Sequence, residues 1–252
     1  MTSRLLAGRR VLITRAEEDA TRWASRLARL GATPVVFPCI VCEFLDDVET
    51  AAALRAAVAK SGWLVLTSAR GAEAVARLLG GSLPGNIQVA AVGPATARAA
   101  EDYLAEPHLV SSAGTSLGLG RALAGRIVGE PGMPERGAVV AGAVVAGAVE
   151  GRDDVERTLS ANGIAVIRVN VYRTVPLPAI GERDRRTLVD VDDVLLASPS
   201  AVTGLLNRAI VPPHARVITV GPTTSLAAKA AGLRVAAEAR TPTLEGMLEA
   251  MA

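Results

Sequence analysis

The sequence predicts an α/β fold of two doubly wound parallel-sheet, Rossmann-like lobes joined by a two-segment hinge. Three observations lead there. Short, continuous apolar runs alternate with segments of helical periodicity, the pattern of buried parallel strands and their crossover helices. A six-element block of strand, hydroxyl turn, helix, strand, Gly-Pro turn and helix occurs twice. In one copy Leu66-Thr67-Ser68 precedes Val92-Gly93-Pro94-Ala95-Thr96; in the other Ala197-Ser198-Pro199-Ser200 precedes Val220-Gly221-Pro222-Thr223-Thr224. The spacing from serine to glycine is 25 residues in the first and 23 in the second, which indicates an internal duplication. Finally, half of the 252 residues are hydrophobic and only 2% are aromatic, so a sizeable aliphatic core divided over two domains is expected.

Residues 9–14 read as a buried strand, 19–30 as a helix with Trp23, Leu27 and Leu30 on one face and Gly31 as its stop, and 33–37 as the next strand. Residues 38–45 read as an irregular extended connector. Helix 46–60, strand 63–66, helix 69–79, strand 88–92 and helix 94–104 follow, then a short strand at Val110 and a helix over 116–128. The segment 137–151, with Gly-Ala-Val-Val-Ala written twice, reads as a glycine-interrupted strand and turn; a phosphate loop would need Gly-Lys-Ser/Thr there. Helix 153–162 ends at Gly163, and strand 164–171 runs into a second extended crossing, Tyr172-Arg173-Thr174-Val175-Pro176. Residues 183–189 are expected to be helical. Strand 194–197, helix 199–208 capped by Ser198, strand 216–220, helix 222–231 and strand 233–236 complete the second copy. A closing helix is expected over 242–251, with Thr241 as its cap and Pro242 in its first position.

Composition excludes several functions. Net charge is +2 with basic residues almost all Arg, too dilute for the concentrated stripe that nucleic-acid binding needs. No apolar run of about 20 residues offers a membrane span, and the start lacks a signal-peptide pattern, so a soluble cytoplasmic protein is expected. Cys39 and Cys42 form a lone Cys-x-x-Cys on the extended connector, read as small apolar fillers rather than a metal or redox site. Gly118-Leu119-Gly120 lacks the third glycine and the leading strand of a dinucleotide fingerprint.

What remains is a site of turns. In each Gly-Pro turn glycine is expected to permit the tight bend, and proline at the first helical position forfeits no hydrogen bond. The exposed amide N–H groups and positive dipole end then make a cradle for carboxylate or phosphate. Hydroxyls at Thr67, Ser68, Thr96, Ser198, Ser200 and Thr223, and Arg15 at the end of the first strand, would lie at the carboxyl ends of the strands, where open α/β sheets bind ligands. Ligand is expected between the lobes. Arg15 reads equally well as an anion contact or a solvated loop arginine. Tyr172, one of two tyrosines, reads either as a functional hydroxyl or as a ring covering a seam. No Ser-His-Asp set, metal cluster or carboxylate pair accompanies them, so any reaction must draw on a reactive substrate held in shape by amides and hydroxyls.

Ile13-Thr14-Arg15, Leu66-Thr67-Ser68, Val92-Gly93-Pro94-Ala95-Thr96, Val171-Tyr172-Arg173-Thr174, Ser198-Pro199-Ser200-Ala201-Val202, Val220-Gly221-Pro222-Thr223-Thr224 and Pro242-Thr243-Leu244-Glu245-Gly246 together resemble the uroporphyrinogen-III synthase family. The resemblance spans nearly the whole chain and rests on the order and spacing of individually loose motifs. It implies a discontinuous first lobe, residues 1–37 plus 174–252, an inserted lobe of 41–170, and connectors at 38–40 and 171–173. It implies closure of the linear tetrapyrrole hydroxymethylbilane to uroporphyrinogen III with inversion of ring D, in tetrapyrrole biosynthesis, by a cofactor-independent, metal-free monomer that takes its substrate from hydroxymethylbilane synthase. Tyr172 is then the candidate general acid or water-positioning group. Arg15, Thr67, Ser68, Thr96, Ser198, Ser200, Gly221 and Thr223 are the candidate substrate contacts. The turn near residue 140 departs from the family's polar Arg-Gly pattern, and Arg152 is the candidate substitute. Two competing readings are a two-lobed glycosyltransferase or sugar-phosphate binder, which would show a carboxylate or basic cluster, and a bilobed receptor, which would carry an export signal.

Overall fold

A computed structural model describes residues 6–129 and 140–252. Along the chain run β1 (Arg10–Ile13), α1 (Glu17–Arg29), β2 (Thr33–Val36), β3 (Ile40–Phe44), α2 (Val48–Ala59), β4 (Ser61–Leu66), α3 (Ala69–Leu79), β5 (Gln88–Ala91), α4 (Pro94–Tyr103), β6 (Leu109–Val110), α5 (Ser116–Val128), β7 (Val140–Ala148), α6 (Asp154–Ala161) and β8 (Ile164–Pro176). After a 3-10 turn at Glu182–Asp184 come β9 (Arg186–Thr187), β10 (Asp193–Leu196), α7 (Pro199–Arg208), β11 (Ala209–Ile210), β12 (Arg216–Thr219), α8 (Pro222–Ala230), β13 (Val235–Glu238) and α9 (Leu244–Met251). The chain divides into two compact units, Met1–Cys42 with Thr174–Ala252, and Glu43–Arg173.

In the first unit the described residues form a sheet ordered β13-β12-β10-β1-β2, with every pair parallel. Alternation along its strands fills two layers. Val11, Ile13, Leu195 and Ile218 pack with Leu27 and Met247 on one face, while Leu12, Val194, Leu196 and Val217 pack with Phe37 and Leu205 on the other. The second sheet is ordered β3-β8-β7-β4-β5-β6, and its β8-β7-β4-β5-β6 ladder is parallel. Its layers are likewise separate: Leu64, Leu66, Val144 and Val169 face one cluster, and Trp63, Val65, Val145 and Ile164 face the other. Truncating a fully buried leucine such as Leu64 or Leu195 should cost about 2–5 kcal/mol.

Four sequence expectations need correction. The stretch 38–45 is not irregular, since β3 occupies its centre, and the crossing at 172–176 is the end of the long strand β8. Residues 183–189 are not a helix. Leu188 N–H donates to Ile210 O (3.2 Å) and β9 pairs with β11, so a strand ladder overrides the local polar pattern. The closing helix starts two residues later than expected, because Thr243 Oγ1 rather than Thr241 accepts the Gly246 N–H, at 3.0 Å. Gly93 and Gly221 are fully extended (φ 175° and 163°), a conformation open to any residue, so backbone strain does not explain them. Residues 137–139 lie outside the described residues; from Val140 the small-residue segment is strand.

Cys39 is buried, with its thiol donating to Phe37 O (3.2 Å) and pushed by burial up to about 12. A Cβ on Gly204 would sit 1.8 Å from Cys39 O, so α7 can lie against this backbone only as glycine there. That packing matches the filler reading. At the opposite end of β10 from the turns, buried Asp193 accepts from Arg9 Nε (2.5 Å) and Nη2 (2.8 Å), with Arg216 Nε 3.7 Å away.

Candidate active site

In the unit of residues 43–173, β4 ends at Leu66 and Ser68 caps α3. Its extended backbone (φ −159°, ψ 156°) lets Oγ accept the Gly71 N–H at 3.0 Å. The same Oγ lies 3.0 Å from the Tyr172 hydroxyl. Small residues make room: a Cβ on Gly71 would come within 3.2 Å of Ser68 Oγ and 3.3 Å of Ala146 O, and one on Gly147 within 3.2 Å of Thr67 Oγ1. Thr67, Ser68 and Tyr172 therefore meet at the carboxyl end of β4.

Tyr172 reaches that place through a break in strand alternation. Ile164 and Val166 pack on one face of the sheet and Val169 and Val171 on the other. By parity Tyr172 belongs with Ile164, yet it packs with Val169 and Val171. The cause is a register shift: Gly147 pairs with Asn170, and the next residue, Ala148, pairs with Tyr172. The extra residue in β8 is a bulge, and it re-aims the tyrosine.

On the neighbouring strand β5, Gly93 caps α4 with Pro94 in the first position. Pro94 and Ala95 are exposed, but Thr96 is buried at 4%, so its side chain points beneath the first turn.

The unit of residues 1–42 and 174–252 repeats the arrangement at the ends of β10 and β12. Ser198 Oγ accepts the Ala201 N–H (3.1 Å) and hydrogen-bonds Ser200 Oγ (2.9 Å). Gly221 caps α8, nothing lies within 4 Å of where its Cβ would be, and Thr223 is exposed. Thr224 and Ser225 are buried, and Ser225 donates to the Glu238 carboxylate while sharing a 2.6 Å hydrogen bond with Thr219 Oγ1. Arg15 follows β1 as expected but is half-buried and engaged: Nη2 donates to Asp19 Oδ2 (3.0 Å), and the guanidinium lies over the Trp23 ring at 5.0 Å. It is a held arginine rather than a solvated one.

Two participants escaped the sequence reading. Glu238 sits at the end of β13 without any motif. Arg168 ties down the turn after β7, donating to Ala148 O (2.6 Å), Gly151 O (3.3 Å) and Arg152 O (3.4 Å). Only the parallel register of β7 and β8 brings it there. Chemically, the two units offer capped helix N-termini, hydroxyls and one phenol: donors for anions and for a departing oxygen. No helix among the described residues is long and apolar enough to cross a membrane.

The family described as uroporphyrinogen-III synthase HemD matches residues 21–249. The porphyrin biosynthesis protein HemD of Ruminiclostridium josui is 26% identical over 97% of this chain and 48% of its own length. The chain thus spans about half of that relative. The chloroplastic uroporphyrinogen-III synthase of Oryza sativa subsp. japonica is 25% identical over 96% of this chain and 79% of its own. Two solved structures share the fold: a mutant uroporphyrinogen III synthase of Thermus thermophilus (21% identity, TM-score 0.54, 97% of both chains) and uroporphyrinogen-III synthetase of Helicobacter pylori (15%, 0.58, 96% and 97%). With α/β units, strand-end hydroxyl turns and a matching family over most of its length, this chain belongs to the uroporphyrinogen-III synthase family.

Proposed function

We propose that the chain closes hydroxymethylbilane to uroporphyrinogen III with inversion of ring D, as a cofactor-independent lyase. The observation that carries this reading is the Tyr172–Ser68 pair at the carboxyl end of β4. Ser68 Oγ is filled on one side by the obligate Gly71 N–H donor. The phenol oxygen and Ser68 Oγ share a hydrogen bond at 3.0 Å in which either hydroxyl can donate. Hydrogen-bonded hydroxyls polarise one another, and a phenol held in this way at a strand end is suited to meet a departing hydroxyl.

With a proton taken up by its oxygen, the hydroxymethyl group loses water and leaves an azafulvene-type cation, and the electron-rich pyrrole supplies the nucleophile. Attack through the substituted carbon of ring D gives a spiro intermediate. The protein's task is orientation, plus help for the leaving oxygen. An ordinary phenol, with a pKa of about 10, is a weak acid at neutral pH, so its share stays below the roughly 100- to 10,000-fold of a well-matched acid. The Ser198–Ser200 pair, Thr67, Gly221 and Thr223 donate to the acetate and propionate carboxylates, and Thr96 supports its turn from below. Arg15, already paired, contributes positive charge rather than an open fork. The same reading takes residues 1–37 with 174–252 and residues 41–170 as the lobes, with 38–40 and 171–173 as connectors, and makes hydroxymethylbilane synthase the supplier.

Incubation with enzymatically generated hydroxymethylbilane and analysis of the porphyrin isomers tests it. Type III should dominate. Type I at the uncatalysed rate would refute the assignment.

A further inference from the structure

We propose that Arg168 is a positioning residue that clamps the bulge in β8 and so holds Tyr172 on Ser68. The inference rests on the role given to Tyr172 above. One guanidinium ties four pieces of the chain together. Its Nε donates to Asn170 Oδ1 (3.0 Å), two residues on along β8 and at the bulge. Nη2 donates to Ala148 O (2.6 Å), the last residue of β7 and the pairing partner of Tyr172, and to Gly151 O (3.3 Å). Nη1 reaches Arg152 O (3.4 Å) and the Glu156 carboxylate on α6.

The turn held in this way returns the contact, because Val149 N–H donates to Tyr172 O at 2.9 Å. Arg168 therefore fixes the backbone on both sides of the register shift, and the tyrosine's direction follows from that shift. The space is fitted to it: a Cβ on Gly151 would lie 2.5 Å from Nη2 and 3.0 Å from Ala148 O. Its N–H groups are aimed at protein carbonyls and carboxylates, which assigns Arg168 to the scaffold and not to the substrate. The rigid planar fork matters, since a lysine is a point donor and cannot span Asn170, Ala148 and Glu156 together.

The test is a kinetic double-mutant cycle with Arg168→Gln and Tyr172→Phe on the whole chain, read by bilane closure and isomer analysis. If Arg168 acts through the tyrosine, Arg168→Gln lowers kcat about fivefold or more with KM within about twofold, and changes kcat less than about twofold in the Tyr172→Phe background. Gly151→Ala, which displaces the guanidinium without removing it, should behave like Arg168→Gln and serves if that variant does not fold. Equal losses in both backgrounds, or wild-type kcat for the clamp variants, would overturn the clamp while leaving the function standing. Wild-type kcat for Tyr172→Phe would remove the tyrosine's role and the clamp with it.

Discussion

The central strands of the two units, β4 and β10, lead into matching serine-capped turns but begin differently. At the same distance before the capping serine, β10 carries Asp193 and β4 carries Trp63. Asp193 is fully buried between Arg9 and Arg216, whereas Trp63 packs edge-on to His108 with ring centroids 6.5 Å apart. The carboxyl ends diverge as well: Ser68 Oγ lies 3.0 Å from the Tyr172 hydroxyl, and Ser198 Oγ lies 2.9 Å from Ser200 Oγ. The turn tolerates either foundation, an ion cluster or an aromatic stack, because all it needs is a strand end, a capping hydroxyl and a helix start. Which side chain the capping serine meets depends on what the rest of its unit delivers to the turn.

The largest effects should come from the residues five before each capping serine, Trp63 and Asp193. Trp63→Ala should cost about 3–5 kcal/mol in urea unfolding, the usual range for a buried aromatic. Asp193→Ala should cost less, about 2 kcal/mol, because Arg9 and Arg216 are 31% and 36% exposed and can rehydrate once unpaired. Only the aspartate site should follow the aspartate titration. Burial raises Asp193 more than the two arginines lower it. The part of its contribution that is linked to protonation is therefore complete below the ordinary aspartate value of about 3.9, and is lost as pH rises through the raised one. The stability difference between wild type and Asp193→Asn should narrow as pH rises through that window; a difference that widens would reverse the sign assigned to burial.

At the turns, Tyr172→Phe should lower kcat for type III formation about tenfold to a hundredfold with little change in melting temperature. An unchanged kcat would erase the chemical distinction between the two turns. Ser198→Ala removes a cap and a donor, and should lose about 1 kcal/mol of stability and raise KM about fivefold with kcat nearly intact. A kcat loss matching that of Tyr172→Phe would mean both turns do chemistry. Smallest is Gly221→Ala, which meets no atom within 4 Å and needs no unusual φ. Stability should shift by less than about 0.5 kcal/mol, while KM rises if a carboxylate approaches that backbone. Thr223→Val should likewise raise KM; unchanged KM in both would leave the turn as a helix cap alone.

The duplicated turn, the strand and helix alternation, and the caps at Ser68 and Ser198 were all legible in the residues, because each depends on contacts a few positions apart. α3, α5 and α7 occupy the expected ranges for that reason. The two-residue strands β9 and β11 were not legible, since each exists only through its partner. Nor were Arg168 and Glu238, whose partners are distant in sequence or carry no pattern.

Local chemistry thus settled which segments become strands and helices and where hydroxyls cap them. The direction of Tyr172 was decided elsewhere. Alternation along β8 places it with Ile164, and only the slipped register against β7 turns it toward Ser68. A side-chain period of two is a property of one strand; a bulge is a property of a pair of strands, and no reading of either strand alone contains it.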